Sequence, residues 1–259
     1  MSGKTPYNVM ELMICAAARL LEDRCTVSVG TGAPCAATML AQRTHAPNLV
    51  ILFEAGGIAP ILPEMPISVG DSRTFYQGVM ASGMCDIMET CQRGLVDYTF
   101  LGGAQIDRYG NLNSTVIGDH AHPKARFPGS GGANDFASFC WRTMLITPQN
   151  KQRFTVKPDF ITSPGFLRGG TSREEAGLPP GTGPYRVITD LAIMDFEPVT
   201  KRMRVISLHP GRTFDQVQDH CGFELLVREE LEHTLPPTAT ELAILRDEVD
   251  PHRYIIGRG

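Results

Sequence analysis

LVILFEAGG, residues 49–57, is the stretch that decides the fold. Its first five residues are continuously apolar, which is typical of a strand buried on both faces of a parallel sheet. Glu54 follows that strand directly, and Gly56 and Gly57 come next. Because ligands bind outside the carboxyl ends of strands in open α/β sheets, Glu54 is a candidate functional residue. The alternative interpretation is a solvated residue that starts a turn. The two glycines allow a ligand or another backbone segment to approach closely.

Strands and helices alternate on both sides of this stretch. An apolar stripe over residues 10–21 follows a capping-box pair, Asn8 and Glu11, and predicts a helix. A second helix is predicted near Cys35, and a last one begins at the capping box of Thr238 and Glu241. Further strands are predicted at residues 25–29, 96–101, 143–147, 185–189 and 205–208. This alternation predicts an α/β fold, an open, largely parallel sheet with flanking helices, in a single domain over residues 1–259.

Three connections have distinct compositions. Residues 107–111 are predicted to form a turn, and residues 195–200 are expected to join two strands as a hairpin. Residues 163–184 are rich in glycine and proline and are expected to form one long loop. Long loops inside compact domains are often functional.

Composition excludes several classes of protein. Of the 259 residues, 42% are hydrophobic and 20% are charged, as in ordinary globular proteins, and the net charge of -4 argues against a nucleic-acid partner. No apolar run reaches the roughly 18 residues of a membrane span, and no secretory leader is recognisable. The seven cysteines are odd in number and form no C-x-x-C pair, so we expect neither a zinc site nor a disulfide framework. A cytoplasmic location is therefore expected.

A second candidate site is the segment GSGGAND, residues 129–135. Three glycines in four residues can present several backbone N–H groups to one oxygen, as an oxyanion hole does. A flexible surface loop is the alternative interpretation.

Three weaker motifs accompany these segments. Residues 68–73, SVGDSR, contain an arginine that suits a carboxylate or phosphate, although an ordinary turn explains them equally well. His120 and His122 could suggest a metal site, but no set of further ligands is evident in the sequence. We therefore expect them to supply polar contacts in a loop. Gly30 and Gly32 lie between a strand and a helix, as in a dinucleotide-binding motif, but Cys35 occupies the third glycine position.

Taken together, these segments resemble the β subunits of family I coenzyme A transferases of the glutaconate CoA-transferase kind, over nearly the whole chain. The family's Glu-Ser-Gly motif corresponds to Glu54-Ala55-Gly56, so the glutamate is present and the serine is replaced by Ala55. We expect the alanine to change how the substrate is positioned and to leave the class of reaction unchanged. The segments that carry the resemblance are residues 29–32, 68–71, 101–107, 109–111, 113–115, 117–119, 122–124, 126–127, 129–134 and 162–165.

The resemblance implies a covalent mechanism on a family I CoA-transferase fold. Glu54 is expected to be the nucleophile, forming first an acyl anhydride and then a glutamyl-CoA thioester, with Gly131 and Gly132 as backbone donors to the oxyanion. The candidates for binding substrate or coenzyme A are Gly30, Gly32, Gly56, Gly57, Ser68, Arg73, Gly129 and Asn134. Coenzyme A is a substrate, so neither a cofactor nor a metal is expected. The implied partners are an α-type subunit, an acyl-CoA such as glutaconyl-CoA and small carboxylic acids.

Other interpretations use the same fold. Some members of this fold open rings hydrolytically or decarboxylate CoA thioesters, and they lack the glutamate at this strand end, so Glu54 favours transfer. A transferase that no longer excludes water would be a CoA-thioester hydrolase. A non-catalytic ligand sensor is the alternative of another class, but no basic helix-turn-helix segment is present. Arg73, Lys124 and Arg126 are candidates for binding a distal carboxylate of the substrate.

Overall fold

The structure, a computed structural model, describes residues 6–257. The chain divides into two compact units, one formed by the residues up to Ile87 together with those from Leu235 onward, and the other by Met88–Thr234. Whether the chain behaves as the predicted single domain stays a prediction, and each unit is described by itself.

Short helices and strands alternate along the chain. The helices are α1 (Val9–Ala18), α2 (Ala33–Gln42), α3 (Met84–Gln92), α4 (Ala133–Phe139), α5 (Ser172–Glu175), α6 (Phe214–Asp219) and α7 (Ala239–Ile244). The strands are β1 (Thr26–Val29), β2 (Val50–Phe53), β3 (Gly57–Ile58), β4 (Met80–Ala81), β5 (Tyr98–Leu101), β6 (Gln105–Ile106), β7 (Leu112–Asn113), β8 (Val116–Gly118), β9 (Pro123–Arg126), β10 (Arg142–Ile146), β11 (Pro184–Ile188), β12 (Ala192–Phe196), β13 (Met203–Leu208) and β14 (Leu226–His233).

In the first unit, β1 and β2 pair in parallel, with Val29 opposite Phe53 at their carboxyl ends. β3 then returns antiparallel to β2, and β4 pairs antiparallel with β3. Helix α1 begins at the predicted capping box, in which the Asn8 side chain accepts a hydrogen bond from the Glu11 N–H. The buried carboxylate of Glu11 is held by Arg246, whose Nε lies 2.6 Å from Oε1. The predicted parallel strand at residues 49–53 is confirmed.

In the second unit, β5, β10 and β11 form a parallel core, with β10 in the middle. β12 and β13 follow as an antiparallel hairpin, as predicted for residues 195–200, and β14 pairs in parallel with β13. β6 and β7 form a hairpin around the predicted turn at residues 107–111. The sheet structure is thus mixed, with the antiparallel hairpin of β12 and β13 between the parallel strands β5, β10 and β11 and the parallel edge strand β14. The predicted α/β class is confirmed.

The long segment 163–184 is mostly irregular, as predicted, but it contains the short helix α5. Its Arg173 is buried, with 2% of its surface exposed. No helix within residues 6–257 is both long and apolar enough to cross a membrane.

Candidate active site

Glu54 is the first residue beyond β2, whose last three residues are buried. Glu54 itself is half-buried, and it stands in a turn closed by a 2.9 Å hydrogen bond from the Gly56 N–H to the Phe53 carbonyl. Gly56 has φ +115°, a conformation that favours glycine. A sharp turn after a buried strand therefore sets the glutamate at the strand's carboxyl end, where the sequence predicted it.

The two glycines after Glu54 are required by close backbone approach. A Cβ on Gly56 would lie 2.0 Å from the carbonyl oxygen of Ser82, and one on Gly57 would lie 2.0 Å from that of Thr74. The Ser82 N–H also donates to the Gly56 carbonyl at 2.9 Å. Other backbone segments thus occupy the space beside both glycines, and this packing accounts for them without a bound ligand.

An ion cluster holds the segment that packs on Gly57. The Arg73 guanidinium lies 2.6 Å from the Asp71 carboxylate and 2.7 Å from that of Glu64. Asp71 also accepts from the Arg73 N–H, and its carbonyl accepts from the Thr74 hydroxyl at 2.7 Å. Hydrogen bonds from Arg73 hold the pKa of Asp71 well below its usual value. Arg73 thus has a structural role, and its predicted contact with substrate stays a prediction.

The remaining predicted residues of the first unit lie in segments that connect strands and helices. Ser68 is exposed, and its hydroxyl accepts from the Gly70 N–H at 3.3 Å. Gly32, at φ +84°, precedes α2, and its carbonyl accepts the first hydrogen bond of that helix from Ala36. A Cβ on Gly30 would meet no atom within 4 Å. Of these positions, Gly30 leaves open space beside its backbone, where a ligand can approach.

The predicted oxyanion segment belongs to the second unit. Gly129 and Ser114 exchange two hydrogen bonds, from the Gly129 N–H and from the Ser114 hydroxyl, at 3.1 and 3.0 Å. Asn134 is exposed and donates from Nδ2 to the Thr162 carbonyl at 2.9 Å. Gly131 is exposed at φ +49°, and its N–H donates to no acceptor within residues 6–257. The segment is thus anchored at both ends and presents the Gly131 N–H at its tip.

Hydrogen bonds show which edge of the second unit carries this segment. The Ala104 N–H, three residues beyond the end of β5, donates to the Asn113 carbonyl at 2.8 Å, and the Gly129 N–H donates to the carbonyl of the adjacent Ser114. The segment therefore lies near the carboxyl end of β5. That is the edge at which open α/β sheets bind ligands.

The histidines take the loop role that the sequence favoured. Asp119 accepts from the backbone N–H groups of Ala121 and His122, and the Arg126 guanidinium donates to the His120 carbonyl at 2.8 Å. Lys124 and Arg126 are exposed on β9. Within residues 6–257 no three His, Cys, Asp or Glu side chains are grouped as a metal site.

The structure therefore brings Glu54 together with Gly56 and Gly57 in one unit, and Gly129, Gly131, Gly132 and Asn134 in the other. A carboxylate at a strand end provides a nucleophile, and an exposed backbone N–H provides an oxyanion donor. Their joint action on one substrate stays a prediction. The sequence did not reveal that Gly56 and Gly57 are packing requirements, because that depends on residues 74 and 82.

Comparison with known proteins gives a consistent result. The family model described as coenzyme A transferase matches residues 10–220. The chain is 40% identical to the B-type subunit of 3-oxoadipate CoA-transferase from Pseudomonas knackmussii, over 93% of this chain and 92% of that protein. It is 37% identical to the B-type subunit of glutaconate CoA-transferase from Acidaminococcus fermentans, over 99% and 97% of the two chains.

A solved structure agrees with these relatives. The crystal structure of glutaconate coenzyme A-transferase from Acidaminococcus fermentans superposes with a TM-score of 0.93 at 35% identity. The superposition covers 99% of this chain and 100% of that one. The similarity is thus continuous along the chain and is not limited to the motifs.

Proposed function

This chain belongs to the coenzyme A transferase family, and we propose that it is a B-type subunit that transfers coenzyme A between carboxylic acids through Glu54. The observation that carries the proposal is the position of Glu54, at the carboxyl end of buried β2 and before the Gly56 turn. A hydrolase on the same fold is the outcome that the experiment below must exclude.

The proposed reaction begins with two substitutions. A carboxylate oxygen of Glu54 attacks the thioester carbon of the acyl-CoA, the C–S bond breaks, and CoA thiolate leaves an acyl–glutamyl anhydride. The thiolate then attacks the Glu54 Cδ, the bond from Cδ to the bridging oxygen breaks, and the donor acid departs as a carboxylate. The product is a glutamyl-CoA thioester on the enzyme.

The acceptor acid completes the cycle. Its carboxylate attacks the Glu54 carbonyl, CoA leaves, and the thiolate then takes the acyl group from the new anhydride. No step of the cycle uses water, so a thioester bond is present in the product as it was in the substrate. A serine in place of Glu54 would form an ester, and the thioester energy would be lost. Because water would hydrolyse the anhydride, the site must exclude water during the reaction.

Each step passes through a tetrahedral oxyanion. We assign its stabilisation to the backbone N–H groups of the glycine segment, Gly131 first, because its N–H is exposed and uncommitted within the described residues. Removing one such donor typically lowers the rate by roughly 10²–10³.

The substrate is proposed to be the CoA thioester of a dicarboxylic acid. Glutaconate and 3-oxoadipate, in the names of the two relatives, are both dicarboxylates, and the chain is similarly close to each. The second carboxylate needs a cation. Lys124 and Arg126 are the candidates for binding this carboxylate, because their side chains are exposed. The Arg73 guanidinium is already paired with two carboxylates of the chain itself.

An A-type chain is the proposed partner. Both relatives are named as the B-type component of their enzyme, which implies a second kind of chain in those enzymes. We propose that the active enzyme is a heteromer and that the partner supplies part of the CoA site.

The experiment is a transfer assay on this chain co-expressed with an A-type partner. Glutaconyl-CoA and 3-oxoadipyl-CoA are offered with acceptor acids, and new acyl-CoA and free CoA are measured separately. We expect ping-pong kinetics and a loss of at least ~10³ in kcat for Glu54→Gln, because an amide is a poor nucleophile. Glu89→Gln, at an exposed glutamate of α3, is the matched control and should keep its activity. Free CoA without new acyl-CoA would identify a hydrolase instead.

A further inference from the structure

The glycine segment is held by its neighbours at its two ends. At one end the Gly129 N–H donates to the Ser114 carbonyl at 3.1 Å. At the other end Asn134 donates from Nδ2 to the Thr162 carbonyl at 2.9 Å. Between these ends Gly131 is exposed at φ +49°. The direction of the Gly131 N–H therefore depends on how firmly the two ends are fixed.

Thr162 connects the two attachments. Its Oγ1 accepts from the Ser114 N–H at 2.8 Å, and its carbonyl is the acceptor for Asn134. The same Oγ1 lies 2.7 Å from the Thr115 hydroxyl and so takes part in two hydrogen bonds. A single residue, distant from the glycine segment in sequence, thus contacts the anchors of both its ends.

Thr162 is itself fixed in position. It is buried, with 4% of its surface exposed, and its N–H donates to the Leu112 carbonyl at 2.8 Å. Leu112 belongs to β7 and forms an antiparallel bridge with Ser163. The fully buried Asn113 adds support, because its Oδ1 accepts from the Thr115 N–H at 2.9 Å. The exposed segment is therefore attached to a buried, hydrogen-bonded support.

Such a support is what an oxyanion donor requires. A backbone N–H stabilises the developing charge well only if it already points to the position that the oxygen takes in the transition state. Glycine loses more conformational freedom on ordering than any other residue, so a segment with three glycines must be held by its surroundings. A displacement of about 1 Å can lower a rate ~10²-fold.

We propose that Thr162 is a positioning residue, which sets the Gly131 N–H for the oxyanion. This inference rests on the proposed transfer reaction and on the role assigned there to Gly131. Thr162 acts through Ser114 and Asn134, which hold the two ends of the segment. Its hydroxyl can be removed at nearly constant shape, because valine carries a methyl group in the same place.

The test compares Thr162→Val with Thr162→Ser in the complex with the proposed A-type chain. We expect Thr162→Val to lower kcat roughly 10–100-fold and to change KM for the acyl-CoA by less than about twofold, because positioning is lost in the transition state and not in substrate binding. Thr162→Ser keeps the hydroxyl and should restore most of the wild-type kcat.

Thr115→Val tests the same hydroxyl without changing Thr162. It removes one of the two hydrogen bonds of the Thr162 Oγ1 and leaves the one from Ser114. We expect a smaller fall in kcat, of roughly threefold or more, again with KM nearly unchanged. This variant decides the question if Thr162→Val does not fold.

Thr234→Val is the matched control for a loss of stability alone. Thr234 is also buried, at 7% exposed, and its Oγ1 lies 2.8 Å from the Ser207 hydroxyl and 2.9 Å from Nδ1 of His209. It follows β14, which is separated from β5 in the sheet by β10, β11, β12 and β13. We expect Thr234→Val to lower Tm and to leave kcat unchanged.

Amide hydrogen exchange on the same proteins measures the segment itself. The peptide that contains residues 129–134 should exchange faster in Thr162→Val than in the wild type, because one of its anchors is lost. It should exchange at the wild-type rate in Thr162→Ser and in Thr234→Val.

The outcomes separate this inference from the proposed function. If the wild type makes no new acyl-CoA, the proposed reaction is wrong and the inference falls with it. If the wild type is active, three results overturn the inference alone. They are an unchanged kcat in folded Thr162→Val or Thr115→Val, an equal fall of kcat in Thr162→Ser or Thr234→Val, and unchanged exchange over residues 129–134.

Discussion

The two glycine-rich segments of this molecule look alike in sequence and differ in structure. At Gly56 and Gly57, other backbone segments fill the space that a side chain would need. At Gly129, a Cβ would meet no atom within 4 Å, although φ is +94°. The first pair is therefore required by packing, whereas Gly129 has open space beside it, as a backbone that meets a ligand must have. A glycine beside a candidate site thus indicates function only where its surroundings are empty.

Replacing Gly57 gives the largest expected effect. In Gly57→Ala the new Cβ would lie 2.0 Å from the Thr74 carbonyl oxygen, so β3 or residues 72–75 must move. We expect a loss of about 3 kcal/mol or more in the free energy of unfolding, which lowers Tm by roughly 6–12 °C in thermal unfolding. A fall in Tm of less than about 2 °C would show that packing does not require this glycine.

Replacing Gly129 tests the open segment. Gly129→Ala meets no neighbour, so the expected loss comes only from placing an alanine at φ +94° and amounts to roughly 1–2 kcal/mol. Urea unfolding at neutral pH measures it. A loss as large as that of Gly57→Ala would remove the distinction between the two segments.

A smaller effect is expected where the open segment is anchored. Ser114→Ala removes the hydroxyl that donates to the Gly129 carbonyl and leaves the backbone hydrogen bond from the Gly129 N–H. The expected loss is about 1 kcal/mol by urea unfolding. Ser130→Ala, at an exposed serine of the same segment, is the control and should change stability by less than ~0.5 kcal/mol. Equal effects of the two variants would contradict the anchoring role.

The smallest effect concerns the ion cluster that holds Thr74 against Gly57. The pKa of Asp71 is lowered from 3.8 in the folded state, chiefly by Arg73, so the unfolded chain takes up the proton first as pH falls. Asp71 therefore stabilises the fold above pH 3.8, and that contribution is lost as pH falls toward its folded-state pKa. The Tm difference between the wild type and Asp71→Asn should shrink from neutral pH to about pH 2.5. A constant difference would exclude this role.

Local patterns predicted much of the fold. The capping boxes at Asn8 and Thr238 and the buried run before Glu54 depend only on neighbouring residues, and each is found where expected. The start of α6 at Thr213 was not predicted, although its capping box with Gln216 carries the same local pattern. β14 is the opposite case, because its sequence LVREELEH is largely charged and exposed and lacks the alternation of a half-buried strand.

The sequence predicted those parts of the candidate site that lie within one continuous segment. The position of Glu54 was predictable from the strand before it and the turn after it. The packing of Gly56 on Ser82 and of Gly57 on Thr74, and the hydrogen bonds of Thr162, bring together residues distant in sequence. Arg73 shows the same limit, because its pairing with Glu64 and Asp71 is not evident from the spacing of the three residues.

The central claim is that Glu54 forms a covalent thioester with coenzyme A. The most direct test incubates this chain, together with the proposed A-type chain, with glutaconyl-CoA or 3-oxoadipyl-CoA, without acceptor, and maps peptides by mass spectrometry. We expect CoA on the peptide that contains Glu54, and its absence from Glu54→Gln and Glu54→Ala. If acyl-CoA is consumed with no adduct and both variants remain active, the covalent mechanism is wrong.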